Sequence, residues 1–282
     1  MEFLASVVHA TRPKQWIKNI LVAAAPIAAG QFSSQISNIL LGITGFIAAS
    51  IFGYLINDWR DRQADRNHPR KKYRPFASEK LKLPSMVALL LLTSIVLILT
   101  CLTLPKEFTY TILVYLLITL SYTLFIKKIP VLEMIWLASG FLIRAIAGSA
   151  IIQEAPTGWF IVSVGFGALF VVSAKRLAEL KSIHSNQTRI VLSKYNENFL
   201  NLVLTTSVSI TLLTYSLWVF QVHPSSLLAQ ITILPFTLSI FLYSWHCENG
   251  DAESPETLIY QDKLIILSAL AIVIPLFLVV YR

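Results

Sequence analysis

Long, uninterrupted apolar segments follow one another along the chain and are separated by polar connections. Each segment approaches the roughly 20 residues that an α-helix needs to cross the hydrocarbon core of a bilayer. Strands of a membrane barrel would instead alternate apolar and polar residues over about ten positions. The pattern therefore predicts an all-α polytopic membrane protein, a bundle of nine transmembrane helices. The predicted segments are 17–31, 36–56, 84–104, 108–126, 130–152, 157–174, 197–220, 228–246 and 263–281.

The composition and the lengths of the connections support this class. Hydrophobic residues make up 55% of the 282 residues and charged residues only 13%. The mean hydropathy of +0.67 lies outside the range of soluble domains. The longest polar stretch covers about 27 residues, which is too short for a second folded domain. We therefore expect a single membrane domain over residues 1–282.

The distribution of basic residues predicts the orientation in the membrane. The formal net charge of +8 could by itself indicate a nucleic-acid partner. If the N-terminus lies in the cytoplasm, however, the cytoplasmic connections contain 20 of the 23 Lys and Arg residues, as the positive-inside rule requires. We therefore expect a protein of the cell inner (plasma) membrane, with a cytoplasmic N-terminus, cytoplasmic active-site loops and no nucleic-acid partner. The sequence leaves a homo-oligomer open.

An acidic motif follows the second predicted span. Asn57, Asp58, Asp61 and Asp65 are spaced so that all four side chains share one face if the helix continues beyond the membrane. Clustered carboxylates repel one another unless a cation holds them together, and hard oxygen ligands suit Mg²⁺, which also takes phosphate oxygens from a substrate. The motif therefore predicts a magnesium diphosphate site with three catalytic aspartates. The alternative is a solvated, charged loop that only fixes topology.

Basic residues follow the acidic motif within the same connection. Arg66, Lys71 and Arg74 are predicted to bind the substrate, since cationic side chains neutralise phosphate oxygens; His68 and Lys72 lie among them. The second long cytoplasmic connection begins with Lys175, Arg176 and Glu179. These three are candidate catalytic residues at the mouth of the helix bundle, where cations could hold a phosphate and a carboxylate could bind metal. A surface ion pair between Lys175 and Glu179 is the alternative.

Arg144 lies deep within the fifth predicted span. An arginine inside a membrane is costly and must face protein, water or an anionic ligand, so it is a candidate substrate-binding residue. Glu133 lies eleven residues earlier, and a structural pair between helices is the alternative. Tyr122 and Lys127 lie at the cytoplasmic end of the fourth span and are further candidates. For Lys127 the alternative is an ordinary snorkelling side chain.

The segment that enters the first predicted span contains four more candidate substrate-binding residues. Lys14 pairs with Lys18, and Gln15 with Asn19, at the i, i+4 spacing of an α-helix. Buried carboxamides need hydrogen-bonding partners, and the hydroxyl groups of a sugar could provide them. The alternative is a purely interfacial amphipathic helix.

The acidic motif, opening a cytoplasmic loop after the second of nine spans, resembles the UbiA superfamily of intramembrane prenyltransferases over nearly the whole chain. The resemblance implies that a diphosphate binds through Mg²⁺ at two aspartate-rich loops, that its C–O bond ionises and that a nucleophile captures the cation. The second loop departs from this pattern, because Lys175, Arg176 and Glu179 stand in place of a second pair of aspartates.

Three further segments, 12–19, 139–148 and 174–180, are similar to the decaprenyl-phosphate phosphoribosyltransferase branch. The resemblance implies transfer of 5-phosphoribose from 5-phosphoribosyl 1-diphosphate to a polyprenyl phosphate lipid, with Mg²⁺ as cofactor and release of diphosphate. In actinobacteria the product feeds arabinan synthesis in the cell wall. The donor has a 5-phosphate besides its diphosphate, in keeping with the extra basic residues of the second loop.

The resemblance also suggests a role for each group of candidates. The three aspartates and Asn57 would hold Mg²⁺ on the diphosphate, while Arg66, Lys71 and Arg74 neutralise the departing charge. Lys175 and Arg176 would hold the 5-phosphate or the lipid phosphate, and Arg144 with Lys127 would orient the lipid head.

Two other functions stay open at this point. The first is a prenyltransferase that uses a prenyl diphosphate and an aromatic or other small acceptor. The second is a transporter, although charge concentrated on one side of the membrane argues against alternating access.

Overall fold

The computed structural model describes residues 2–69, 71–181, 191–249 and 262–281, and these ranges are helical with short connections. Eight helices within them are long and apolar enough to cross a membrane, with α9 and α10 counted together. The predicted all-α, multi-pass membrane fold is confirmed. The helices are α1 (Glu2–Thr11), α2 (Ala24–Ala28), α3 (Ile36–Arg66), α4 (Leu83–Thr103), α5 (Lys106–Leu124), α6 (Leu132–Ile152), α7 (Gly158–Lys181), α8 (Glu197–Val222), α9 (Leu227–Ile231), α10 (Ile233–Glu248) and α11 (Lys263–Val280).

The first of the nine predicted segments differs in kind from the others. A 3₁₀ helix, Pro13–Ala23, leads into the short helix α2, so this segment is not among the eight long α-helices of the described ranges. Arg12 precedes it in the left-handed region (φ 53°), and Pro13 occupies its first position. Proline suits a helix start because its missing N–H needs no partner there.

This 3₁₀ winding corrects the expected pairing of side chains in the entry segment. A 3₁₀ helix has three residues per turn, so positions i and i+3 lie on one face. Lys14 and Lys18 therefore do not form the aligned i, i+4 pair that an α-helix would give, nor do Gln15 and Asn19. The buried face instead contains Asn19 and Val22, which are both fully inaccessible.

The chain forms two compact units, of which the first comprises residues 1–26, 32–124 and 143–154. In this unit α3 packs against α1, the 3₁₀ helix, α4 and α5. Phe46 of α3 lies at the centre, with its ring 5.8 Å from Phe108 and 5.3 Å from Tyr115. Because α3 is surrounded by other helices, its polar side chains lie in fixed surroundings.

Helix α3 continues ten residues beyond the predicted span 36–56 and ends at Arg66. The connection after it folds back on the helix. Phe76 and Leu81 are buried, and the rings of Phe76 and Trp59 lie at right angles with their centroids 5.9 Å apart. The acidic motif is therefore helical, and the basic residues of the connection return towards it.

The second unit comprises residues 27–31, 125–142 and 155–282. Helices α7 and α8 pack along each other, and α10 packs against both α7 and α11. Phe170, Val208 and Ile240 belong to one core cluster, while Tyr215 stacks on Phe236 with ring centroids 3.9 Å apart.

A hydrogen-bonded pair joins the ends of α10 and α11 within the second unit. Asp262 caps α11 through the backbone N–H of Leu264 at 2.7 Å, and its other oxygen lies 2.8 Å from Nε2 of His246. The hydrogen bond with His246, followed by the bond from Leu264, lowers the pKa of Asp262 below its ordinary value of 3.8.

We expect acid to weaken this connection. A lowered pKa stabilises the folded state above the ordinary value, and the contribution is lost as the pH falls through the folded-state pKa. Melting temperatures measured between about pH 6 and pH 3 should therefore vary less for Asp262→Asn than for the natural chain, while asparagine keeps the helix cap. Equal pH dependence of the two proteins would contradict this assignment.

Candidate active site

Two buried carboxylates lie on one face of α3. Asp58 and Asp65 are seven residues apart, a spacing that brings them to the same side of an α-helix. Their exposed fractions are only 3% and 5%, although both lie near the end of the helix. Buried carboxylates need opposite charges or hydrogen-bond donors, so their partners define the site.

Arg74 bridges the two aspartates. Its Nη1 atom donates to Oδ1 of Asp58 at 3.0 Å and to Oδ2 of Asp65 at 2.8 Å. The folded-back connection brings it there, since Phe76, two residues later, is anchored against Trp59. The sequence placed Arg74 beside the acidic motif, and the structure joins them directly.

Arg12 is a second cation at this site, and it was not among the residues selected from the sequence. Its Nη2 atom lies 2.5 Å from Oδ1 of Asp58, and its guanidinium lies 4.8 Å from the ring centre of Tyr54. The left-handed backbone at Arg12 turns the chain between α1 and the 3₁₀ helix. A non-glycine residue in this conformation is strained, and such strain concentrates at functional sites.

The donor set of α3 suits a magnesium ion that shares its ligands with a substrate. Asp58, Asp61 and Asp65 offer carboxylate oxygens, and Nδ2 of Asn57 lies 3.5 Å from Oδ1 of Asp58. Among the residues described, no three acidic, histidine or cysteine side chains lie close enough to surround an ion. Magnesium in proteins usually takes one or two carboxylates, water and substrate phosphate oxygens. Magnesium binding at the acidic face therefore stays a prediction.

The other residues of the first unit that were selected from the sequence differ in their contacts and exposure. Arg66 forms an exposed ion pair with Glu79. The backbone N–H of Lys71 donates to Nδ1 of His68 at 3.3 Å. Lys14 is exposed. Gln15, Lys18, Asp61 and Tyr122 are half-buried.

A second polar cluster in the first unit surrounds Arg144. Its Nε atom donates to Oδ1 of Asn19 at 2.8 Å, and its Nη2 atom donates to Ser50 at 3.2 Å and to the hydroxyl of Tyr115 at 2.6 Å. All four side chains are buried, with exposed fractions of 5% or less. The cluster joins α3, α5, α6 and the 3₁₀ helix.

In the second unit, Arg176 forms a buried ion pair. Its Nε and Nη2 atoms donate to the two oxygens of Glu133 at 2.7 and 2.8 Å, and its Nη1 atom donates to Glu179 at 2.9 Å. Arg176 is 1% exposed and Glu133 is fully inaccessible. This differs from the expectation of a phosphate contact, because these guanidinium donors are directed to carboxylates.

Tyr195 supports this ion pair and was also not selected from the sequence. Its hydroxyl accepts the backbone N–H of Val131 at 2.8 Å and lies 3.5 Å from Oε1 of Glu133. Burial raises the pKa of Tyr195, which keeps the phenol protonated. Lys127 and Lys175 are half-buried in this unit, and their predicted phosphate contacts stay predictions.

Known proteins are similar in sequence to this chain over nearly its whole length. Residues 19–280 match the UbiA prenyltransferase family. A decaprenyl-phosphate phosphoribosyltransferase of Mycobacterium tuberculosis is 35% identical over 95% of this chain and 92% of its own length. The enzyme of the same name from Corynebacterium glutamicum is 34% identical over 98% of this chain and 86% of its own.

Solved structures with the same arrangement of helices have lower sequence identity. A UbiA homolog from Archaeoglobus fulgidus, solved with DMAPP and Mg²⁺, aligns with a TM-score of 0.74 at 17% identity, over 100% of this chain and 99% of its own. A UbiA homolog from Aeropyrum pernix aligns with a TM-score of 0.69 at 15% identity, over 95% of this chain and 98% of its own. These likenesses concern the fold.

Proposed function

The chain belongs to the UbiA prenyltransferase family, and on this basis we propose that it transfers 5-phosphoribose from 5-phosphoribosyl 1-diphosphate to a polyprenyl phosphate. Membership confirms the predicted transferase class and the predicted family. The relatives at about 35% identity, which are named for this reaction, support the specific substrates.

The observation that carries the proposal is the meeting of Arg12 and Arg74 at Asp58. Both guanidinium groups contact carboxylates in the structure, and in the proposal a donor with several phosphate charges would take over part of these contacts. Phosphoribosyl diphosphate has a 5-phosphate besides its diphosphate, whereas a prenyl diphosphate has the diphosphate alone. Guanidinium groups bind phosphate oxygens through paired hydrogen bonds, which also orient the donor.

In the proposed reaction the bond between C1 of the ribose and the diphosphate oxygen breaks, and an oxygen of the lipid phosphate bonds to C1. Bound magnesium, held by Asp58, Asp61 and Asp65 with Asn57, would withdraw charge from the departing diphosphate. Arg74 contacts two of these aspartates, which supports the proposal that it would neutralise charge on the same leaving group. The lipid phosphate is ionised near neutral pH, so no general base is required.

We expect Asp61→Asn to lower this transfer by about 100-fold, because the substitution removes one charged oxygen ligand from the acidic face. The assay follows radiolabelled phosphoribosyl diphosphate into lipid in detergent with Mg²⁺ and a polyprenyl phosphate. Asp262→Asn is the matched control, since it removes a carboxylate from a helix cap in the second unit.

The same assay tests the alternative chemistry. If no labelled lipid forms with several lipid chain lengths, yet a prenyl diphosphate is consumed with an aromatic acceptor, the phosphoribosyl proposal is wrong. If transfer occurs equally with Asp61→Asn, the assignment of Asp61 to the metal site is wrong.

The orientation belongs to the same proposal. We place the acidic motif and the N-terminus on the cytoplasmic side of the inner membrane, because phosphoribosyl diphosphate is a soluble metabolite and the basic connections concentrate on that side.

A further inference from the structure

The N-terminal 3₁₀ helix is attached to α3 at two points in the first unit. At one end Arg12 contacts Asp58. At the other end Oδ1 of Asn19 accepts a hydrogen bond from Ser50 at 3.2 Å. The two segments therefore run antiparallel, since Asp58 lies after Ser50 whereas Arg12 lies before Asn19. A contact that fixes the position of Asn19 along α3 therefore also fixes the position of Arg12 relative to Asp58.

Arg144 is the side chain that holds Asn19 in place. Its guanidinium donates to Asn19, Ser50 and Tyr115, and it lies 4.5 Å from the centre of the Tyr115 ring. A planar guanidinium with donors in a fixed fork sets the direction of each bond, which a single ammonium cannot do. Arg144 thus fixes one end of the 3₁₀ helix relative to α3 and α5.

The orientation of the Asn19 side chain shows how strongly this contact is specified. Its Oδ1 atom faces Arg144 and Ser50, while its Nδ2 atom is buried without a hydrogen-bond partner in the described structure. A guanidinium only donates hydrogen bonds, so Arg144 must face the oxygen of the amide, and this contact determines the orientation of Asn19.

Gly148 provides a second attachment of the same segment to α6. It lies one turn after Arg144, and a Cβ atom there would come within 2.1 Å of the carbonyl oxygen of Val22 and 2.7 Å of Pro26. The backbone of α6 therefore packs directly on the backbone of the 3₁₀ helix. Any residue other than glycine at position 148 would displace this helix.

From these contacts we propose that Arg144 is a positioning residue, which fixes the 3₁₀ helix against α3 and so sets the contact between Arg12 and Asp58. Arg144 then acts on the donor site through Asn19 and not by touching the lipid head. The proposal rests on the proposed function only in taking Asp58 as part of the donor site. The proposal predicts that any substitution that loosens the packing of the 3₁₀ helix near Asn19 weakens binding or reaction of the donor.

The test combines hydrogen exchange with steady-state kinetics in lipid nanodiscs. Arg144→Gln and Gly148→Ala, one polar and one steric change, are both expected to speed backbone exchange in residues 16–22 by about tenfold or more. Thr93→Val is the control. Thr93 of α4 is about as buried as Arg144, but its hydroxyl donates to carbonyl groups of its own helix. Should Arg144→Gln or Gly148→Ala fail to fold, Ser50→Ala removes one contact of the cluster more gently.

Kinetics distinguish positioning from direct contact with the lipid. Arg144→Gln should lower kcat/KM for phosphoribosyl diphosphate by about tenfold or more and leave the KM for polyprenyl phosphate within about twofold. Unchanged exchange together with a raised KM for the lipid would overturn the proposal in favour of a direct lipid contact. If the natural chain transfers no phosphoribose, the proposed function fails, while the exchange data still decide whether Arg144 fixes the segment.

Discussion

Asp58→Asn is expected to lower phosphoribosyl transfer by about 1000-fold, more than any other single change in the acidic motif. Asp58 is the carboxylate on which Arg12 and Arg74 meet, and it is also a predicted magnesium ligand. Asparagine keeps the shape of the side chain but removes the charge. It would therefore weaken the metal site and leave two guanidinium groups facing each other without their common counter-ion.

Comparison within the motif sharpens this prediction. Asp65 contacts Arg74 through one oxygen and is about as buried as Asp58. Asp65→Asn is therefore a matched variant, which removes one carboxylate charge and leaves the pair between Arg12 and Asp58 intact. We expect Asp65→Asn to retain more transfer than Asp58→Asn. The measurement is initial rate with saturating substrates, with thermal unfolding of each variant as a check on folding. Equal losses of transfer rate in the two variants would contradict a special role for Asp58 as the shared partner of Arg12 and Arg74.

Arg176→Leu is expected to destabilise the protein by about 3–5 kcal/mol, which is the usual effect of breaking a buried ion pair from one side. Glu133 would lose its bidentate partner while fully inaccessible, and Glu179 would lose its donor at 2.9 Å. An uncompensated carboxylate in such surroundings must become protonated or draw in water. Equilibrium unfolding in mixed micelles measures the loss.

An exposed ion pair of the same unit provides the control. Lys181 bridges Glu197 and Glu248, whose side chains are 53% and 51% exposed, and Lys181→Ala should cost less than about 1 kcal/mol. The same experiment judges the role predicted for Arg176 from the sequence. If Arg176→Leu stays stable but raises the KM for a phosphate substrate, Arg176 binds phosphate and its contact with Glu133 is secondary.

Local spacing was enough to predict the acidic face, because an α-helix repeats every 3.6 residues and Asp58, Asp61 and Asp65 follow that period. Within the described residues, eight of the nine predicted spans were also recovered, since length and hydropathy alone identify a membrane helix, whereas the segment 17–31 was not. The partners of the buried charges were not predicted. Arg12 and Asp58 are 46 residues apart, and Glu133 and Arg176 are 43 apart, so their pairing depends on packing that no local pattern shows.

The entry segment shows a different limit. Its sequence is compatible with an α-helix, and the expected i, i+4 pairs followed from that assumption. Tertiary contacts decide otherwise, because Asn19 must reach Arg144 while Gly148 presses on Val22. Pro13 was visible in the sequence, but the left-handed turn at Arg12 that precedes it was not predicted.

The 3₁₀ helix between Arg12 and Asn19 is also a spacer of fixed length. Seven residues at about 2.0 Å each extend about 14 Å, close to the roughly 12 Å that eight α-helical residues cover between Ser50 and Asp58. Deleting one residue would turn Arg12 by about 120° about the helix axis and withdraw it from Asp58. This stretch should therefore accept changes of side chain at its exposed positions yet tolerate no change in the number of residues.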